Sequence, residues 1–387
     1  MCQFNNTSKA TAKWCVLISF NKQQNILFIA RSIDPHREKI LSQIIKEKLN
    51  LVILCSTKNH FDKKYQPYLH PYFTAIANYT FTNWTLIFIA PILVFLDTLL
   101  FKRTKVIGVN TATFGWATSF AVNCKKIIFA LGGDLLVGPY RNFLKKITVK
   151  MALRRCNLLF VDNYQGIRNA YSLGFKGVAE FSPYGVEIPT LKSSFNERIR
   201  LHGETILWVR GTNPVYNIDC FLMALKELKN KNRTNWKVIF AGKGTSSSSF
   251  RSKIKKYNLE KQAQLKGFIT KKSEMAELYS KATIFVSSSL SDGTSVALLE
   301  GMVYGLTMIV SDFKNNSFWI KNQKNGFLFD SKNPEDLAAI LDKILRGSIS
   351  IDDRKAMNVL SQKFVKKHGS LEIFNKKVSE MLQLNCS

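Results

Sequence analysis

Apolar positions along this chain fall into short β-branched or aromatic runs, separated by stretches with helical spacing, and the clearest case is residues 283–312. Ile284 to Val286 is a strand run, and Ser287 to Ser295 has turn chemistry. Val296, Leu299 and Val303 then recur at helical spacing before Gly305 stops the helix, and a second strand closes at Asp312. This is half of a βαβ unit. Its loop and helix N-terminus lie beyond the carboxyl end of a parallel strand, where open α/β sheets bind ligands and free N–H groups favour anions. A phosphate-bearing ligand is the expected guest.

The same alternation runs through the chain. Asn25–Ala30 predicts a buried strand, His36–Lys48 a helix and Leu51–Cys55 a second strand. Trp84–Phe101 predicts a long apolar helix, followed by strands at Val106–Val109, Lys125–Ala130 and Leu158–Val161. In the second half, strands at Thr205–Val209 and Trp236–Ala241 alternate with helices at Cys220–Lys229, Ser273–Ser280 and Pro334–Arg346, and the tail from Asp352 to Leu384 is helical. At 387 residues the chain exceeds what one core usually supports. The expected division is an N-terminal extension (1–24), a first α/β domain (25–190), a polar linker (191–204), a second α/β domain (205–350) and C-terminal helices (351–387).

Charge adds a partner. Basic residues outnumber acidic ones 56 to 27, a net +29, so a negatively charged surface or ligand is expected. Between Lys63 and Gly133 the only acidic residue is Asp97, in a span crowded with aromatics. That combination suits an anionic membrane surface better than a nucleic-acid groove. Lys146, Lys150 and Arg154 stand four residues apart in Tyr140–Arg155, with Leu144, Ile147 and Met151 on a neighbouring face. This predicts a basic amphipathic helix, serving either as a solvated face or as a membrane-surface element. The Trp84–Phe101 helix has eighteen residues, near the lower end of the roughly 17–25 a span requires. It carries Pro91 and Asp97, and is expected to pack on a sheet or lie in the interface, the alternative being a true transmembrane span.

Seven scattered cysteines form no CxxC pair and no metal spacing with the five histidines, which predicts reduced cytoplasmic thiols. The apolar run Trp14–Phe20 is short and lacks a cleavage pattern, so secretion is not expected. No glycine-rich fingerprint follows the first strand, which disfavours a dinucleotide cofactor. Arg31–His36 occupies that turn instead, with His36 either touching an acceptor or standing in a solvated loop. At Gly132-Gly133-Asp134, beyond the Lys125–Ala130 strand, flexible backbone and a carboxylate either face a cleft or form a capped tight turn.

The order of features in the second half is more specific. Arg210 after a strand, Gly242-x-Gly244, Gly267-Phe-Ile, Leu278-Tyr279, Ser287-x-x-x-x-Asp292-Gly and Glu300-Gly-Met-x-x-Gly305 together resemble the nucleotide-sugar-binding domain of glycosyltransferase family four. The resemblance spans Ile206 to Arg346, and extends more weakly through Gly132-Gly-Asp134 and Pro183-Tyr-Gly185-Val186. It implies a GT-B fold, two Rossmann-like domains facing across a cleft, and transfer from a nucleotide diphosphate sugar with retention of configuration. By the same resemblance Glu300 would bind the donor ribose, and Gly293, Thr294 and Ser295 the sugar and diphosphate. Arg210 would stabilise the departing diphosphate. Two positions depart from the family pattern. Asp292 stands where the family has its first glutamate, and Lys243 is the candidate for a second cation missing from the turn at Pro214–Asn217. Asp292 and Arg210 are the expected catalytic pair, with His36, Gly133 and Asp134 on the acceptor side. No metal is expected, as there is no Asp-x-Asp triplet or His/Cys cluster.

The acceptor implied is a glycan, lipid-linked, at the cytoplasmic membrane face, as in assembly of a surface polysaccharide such as lipopolysaccharide. Two other readings of the sequence remain open: a GT-B epimerase or hydrolase of nucleotide sugars, and a nucleic-acid-binding or membrane adaptor with a degenerate transferase domain.

Overall fold

The computed structural model describes residues 25–30, 35–55, 63–68 and 83–383. The 1–24 extension and residues 31–34 of the first turn lie outside the described residues.

Among the described residues, twelve strands form two six-stranded parallel sheets. The first comprises β1 (Asn25–Ala30), β2 (Asn50–Cys55), β3 (Lys105–Val109), β4 (Lys125–Ala130), β5 (Leu158–Val161) and β6 (Val178–Phe181), in the order β2-β1-β3-β4-β5-β6. The second comprises β7 (Glu204–Val209), β8 (Trp236–Ala241), β9 (Ala263–Gly267), β10 (Ile284–Ser287), β11 (Thr307–Ser311) and β12 (Phe327–Phe329), in the order β12-β11-β10-β7-β8-β9. Most strands are continuous apolar runs because both faces of a parallel sheet are covered. Ile26, Phe28 and Ile107 point to one side of the first sheet, and Leu27, Ile29 and Val106 to the other. The α/β architecture expected from the sequence is the one observed.

Three segments behave differently from their sequence patterns. The tail divides: the Ile351–His368 helix stays on the second sheet, held by the buried Arg354–Glu204 ion pair, whereas Leu371–Gln383 crosses back to the first. Phe374, Val378, Met381 and Leu382 complete the core that contains Ile26 and Phe28, and Lys105 Nζ donates to the Leu382 carbonyl at 2.9 Å. The segment expected as a polar linker holds the helix Phe195–His202, opened by a Ser194–Glu197 capping box. Its Arg198 donates to the carbonyls of Ala282 and Gly305, so it packs on the second domain.

The third is Tyr140–Arg155, which is not one helix. Asn142 has extended backbone (φ −146°) and caps a new helix, Phe143–Arg155, accepting the Leu144 and Lys145 N–H groups. The inward face of that helix is Val149, Ala152 and Leu153, which pack on Ile128 and Ala130 of β4 and Leu159 and Val161 of β5. The apolar residues Leu144 and Ile147 point outward instead.

The Asn83–Phe101 helix lies on the same side of the first sheet. It buries Ala90 and Val94, and its Asp97 forms a two-point ion pair with Arg103 at 2.7 and 2.8 Å. Among the described residues no helix is long and apolar enough to cross a membrane.

Candidate active site

The carboxyl ends of both sheets face one another, and the residues at these ends build the site. The loop after β10 is tied down by Ser288, whose hydroxyl donates to the carbonyls of Tyr216 and Asn217. Ser295 caps the helix Val296–Val303 by accepting the Leu298 N–H at 3.2 Å. The Arg210 guanidinium, arriving from the end of β7, donates through Nη2 to both the Asp292 carboxylate and the Ser295 hydroxyl. It lies over the Tyr216 ring at 5.1 Å. Asp292 in turn accepts the Gly293 N–H at 2.9 Å, and the Asn315 side-chain amide donates to its carbonyl at 2.7 Å. Arg210 Nε is buried and has no hydrogen-bond partner among the described residues.

Glu300 sits farther along the same helix. Burial raises its pKa, opposed by the Tyr279 hydroxyl and by the charges of Lys39, Arg210 and Lys272. Lys39 comes from the Pro35–Lys46 helix of the first domain and donates to the carbonyls of Tyr184 and Gly185 at 2.9 and 2.5 Å. Lys243 is exposed on the turn after β8. Gly242 there has φ +149°, and a Cβ on it would stand 2.1 Å from the Arg210 carbonyl oxygen. Only glycine permits this approach, which joins the ends of β7 and β8 through the Thr212 N–H to Lys243 carbonyl bond at 3.0 Å.

A second group closes the site from the first domain. Gly132 lies against Gly293, so that a Cβ on Gly132 would stand 2.7 Å from the Gly293 nitrogen. The Thr294 hydroxyl donates to the Asp162 carbonyl and accepts from Trp319 Nε1, which turns it toward the first domain. Asp162, at the end of β5, has its pKa pushed up to about 7 by burial, reinforced by the nearby charges of Asp292 and Asp134 and opposed by the hydrogen bond from Asn163. Asp134 is raised to about 6, again by burial. Its carboxylate accepts the Leu131 and Thr111 N–H groups and the Asn110 side-chain amide, so it caps its own turn and fixes the neighbouring loop. Gly133 beside it has no atom within 4 Å of where a Cβ would be. His36 stands in the first turn of its helix, half-buried, with its ring 4.7 Å from that of Tyr184. A solvated loop histidine was one sequence expectation, and the structure replaces it with this packed one.

The structure therefore brings Arg210, Asp292, Gly293 and Ser295 into one cluster and sets Glu300 nearby. Lys243 stands exposed at the edge, and His36 is engaged on Tyr184. Asp162 escaped the sequence reading, although Asp162-Asn163 at the end of a strand carries the same signal that singled out Gly132–Asp134. Lys39 gave no such signal, being one lysine among many on a helix. Among the described residues no group of His, Cys, Asp or Glu is arranged to hold a metal ion.

Residues 191–363 match the family described as Glycosyl transferases group 1. The chain is similar to the amylovoran biosynthesis glycosyltransferase AmsD of Erwinia amylovora, 26% identical over 30% of this chain and 32% of that protein. It is also similar to the Escherichia coli UDP-Gal:α-D-GlcNAc-diphosphoundecaprenol α-1,3-galactosyltransferase, 28% identical over 27% of this chain and 24% of that protein. The matched region thus spans a third or less of these curated relatives. In three dimensions the likeness is wider: the Anabaena protein HepE, solved in complex with UDP, superposes with a TM-score of 0.73 over 93% of this chain and 99% of its own, at 13% identity. Residues 191–363 thus carry the similarity to glycosyl transferases group 1, within a chain that has the GT-B fold.

Proposed function

We propose that this chain is a glycosyltransferase that moves a sugar from a nucleotide diphosphate donor, held by the second domain, to a glycan or lipid-linked acceptor held by the first, with retention of configuration. The observation that carries this reading is the Arg210–Asp292–Ser295 cluster at the N-terminus of Val296–Val303, with a buried guanidinium N–H left over. A departing diphosphate gathers negative charge, and a guanidinium and a helix N-terminus aimed at one point stabilise it. In this reading that charge is met by Arg210, by Lys243 from the adjacent turn and by the helix, with no resident cofactor. Glu300 accepts the ribose hydroxyls, and the backbone of 293–295 faces the sugar and diphosphate. Asp292 is held by Arg210 and by the Gly293 N–H, and its shorter side chain sets the distance to the transferred sugar.

The names of the relatives support the acceptor class: one is an amylovoran biosynthesis enzyme, and another acts on a diphosphoundecaprenol-linked sugar. A role in surface polysaccharide assembly at the cytoplasmic membrane face follows from that class. The direct test is transfer of radiolabelled sugar from a panel of nucleotide sugars to lipid-linked mono- and disaccharide acceptors. Product that needs both substrates supports the reading. Donor turnover without any acceptor would favour an epimerase or hydrolase instead.

A further inference from the structure

The Asn83–Phe101 helix carries a second apolar face that nothing in the described structure covers. Phe88, Ile92, Phe95, Leu96, Leu99 and Leu100 are 70, 59, 42, 41, 55 and 68% exposed. At 100° per residue they fall within one continuous sector, opposite Ala90, Val94 and Asp97, which face the sheet. On the same side of the first sheet, the Phe143–Arg155 helix begins with Phe143, Leu144 and Ile147, exposed to 75, 53 and 38%. Isolated exposed apolar residues are ordinary, but a contiguous patch of this kind marks an interaction surface.

Its charge identifies the partner. Residues 83–155 contain eleven lysines and arginines against two acidic residues, Asp97 and Asp134. Asp97 is buried against Arg103, and the Asp134 carboxylate is engaged by the Leu131 and Thr111 N–H groups and the Asn110 amide. The surface therefore offers an apolar stripe with Lys102, Lys145 and Lys146 exposed around it and no acidic side chain. A protein partner would require specific complementarity, whereas an anionic bilayer supplies apolar interior and negative headgroups together.

We infer that this face is a monotopic membrane-docking surface: the Asn83–Phe101 helix lies in the interface with its outer stripe among the acyl chains, and Phe143, Leu144 and Ile147 enter beside it. The apolar stripe is the anchor and the cations are its rim. This differs from attraction to lipid by the basic stripe alone, because apolar insertion survives salt that screens charge. Its biological purpose rests on the lipid-linked acceptor proposed above, but its test does not.

The test is co-sedimentation of the full chain with vesicles of phosphatidylethanolamine and phosphatidylglycerol, at low and high salt. The chain is expected to sediment with the vesicles and to remain substantially bound at high salt. The double variant Ile92→Glu, Leu96→Glu should lose at least about tenfold in bound fraction while its thermal unfolding is unchanged. Should that variant fold poorly, Leu99→Trp gives a second reading: its added emission should shift to the blue on vesicles and be quenched by brominated acyl chains. Wild-type chain left in the supernatant would overturn the inference, whether a wild-type dimer broken by the double variant or gain of binding on deleting residues 1–24 then identifies what covers the face. Equal binding by wild type and double variant, with loss on Lys145→Glu and Lys146→Glu, would overturn it in favour of the cations. Vesicle binding without affinity for any nucleotide sugar would leave this surface standing and sink the transferase reading alone.

Discussion

Gly132 of the first domain and Gly293 of the second meet backbone to backbone, closely enough that neither site has room for a methyl group. A Cβ on Gly293 would stand 2.3 Å from Asp162 Oδ2 and 2.7 Å from the Gly132 Cα. Neither position has the positive φ that would itself demand glycine, so the requirement here is space between domains. Gly293→Ala is expected to part the two domains locally, at a cost of about 1–3 kcal/mol if they stay closed. Small-angle scattering should report a larger radius of gyration, and transfer should fall at least about tenfold, because misplacement by an ångström at a reacting centre carries penalties of that order or greater.

Arg210 is engaged with Asp292 and Ser295, and in the proposed reaction it also meets the leaving diphosphate. Arg210→Ala should lower kcat by about 10²–10³-fold, the usual loss when a preorganised charge donor is removed. Steady-state kinetics with saturating donor separates this from binding. A rise in KM with kcat unchanged would assign Arg210 to ground-state binding instead.

Asp162 makes stability depend on pH in an unusual direction. Its carboxyl titrates near 7 in the folded chain, mainly through burial, against about 4 when unfolded. Between those values the folded chain holds a proton that the unfolded chain has released, so stability falls as pH rises through that window. Asp162→Asn removes the effect. Melting curves should show the variant gaining on wild type from about pH 4 to pH 7, with the difference level above that. A constant difference across the range would show that Asp162 ionises normally.

Arg354 holds the tail to the second sheet. Its guanidinium is 1% exposed, pairs with both Glu204 oxygens at 2.5 and 3.0 Å, and donates to the Thr307 hydroxyl at 3.0 Å. Arg354→Met leaves Glu204 without its partner and should destabilise the chain by about 3 kcal/mol, read from urea unfolding. Glu204→Gln in the same background should recover part of the loss, since it removes the uncompensated charge.

The alternation of strands and helices was legible because it is local. Residues 283–312 fold as their spacing dictates, with Ser295 capping a helix that ends at Val303, just before Gly305 in the left-handed region. What the sequence left hidden depends on distant partners. Phe374, Val378 and Met381 mark an apolar helix face but do not say which sheet it covers, and the chain has two. The apolar residues at the start of Phe143–Arg155 follow helical spacing yet face outward, because a second apolar set, Val149, Ala152 and Leu153, takes the sheet-facing side of the same helix. Asp162 acquires its character only where the second domain brings Gly293 and Asp292 against it. Motif spacing located Arg210, Asp292 and Glu300, but not that one guanidinium joins Asp292 to the helix cap.

The central claim is that the second domain holds a nucleotide diphosphate sugar against Glu300 and the 292–295 loop. Its most direct test is thermal unfolding of wild type and Glu300→Ala across a panel of nucleotide sugars, since a ligand bound only by the folded chain at about a hundred times its Kd adds about 2.7 kcal/mol of stability. At least one donor should raise the wild-type Tm by several degrees and leave Glu300→Ala unmoved, with both proteins melting alike when unliganded. No shift with any donor, or equal shifts in both proteins, would contradict it.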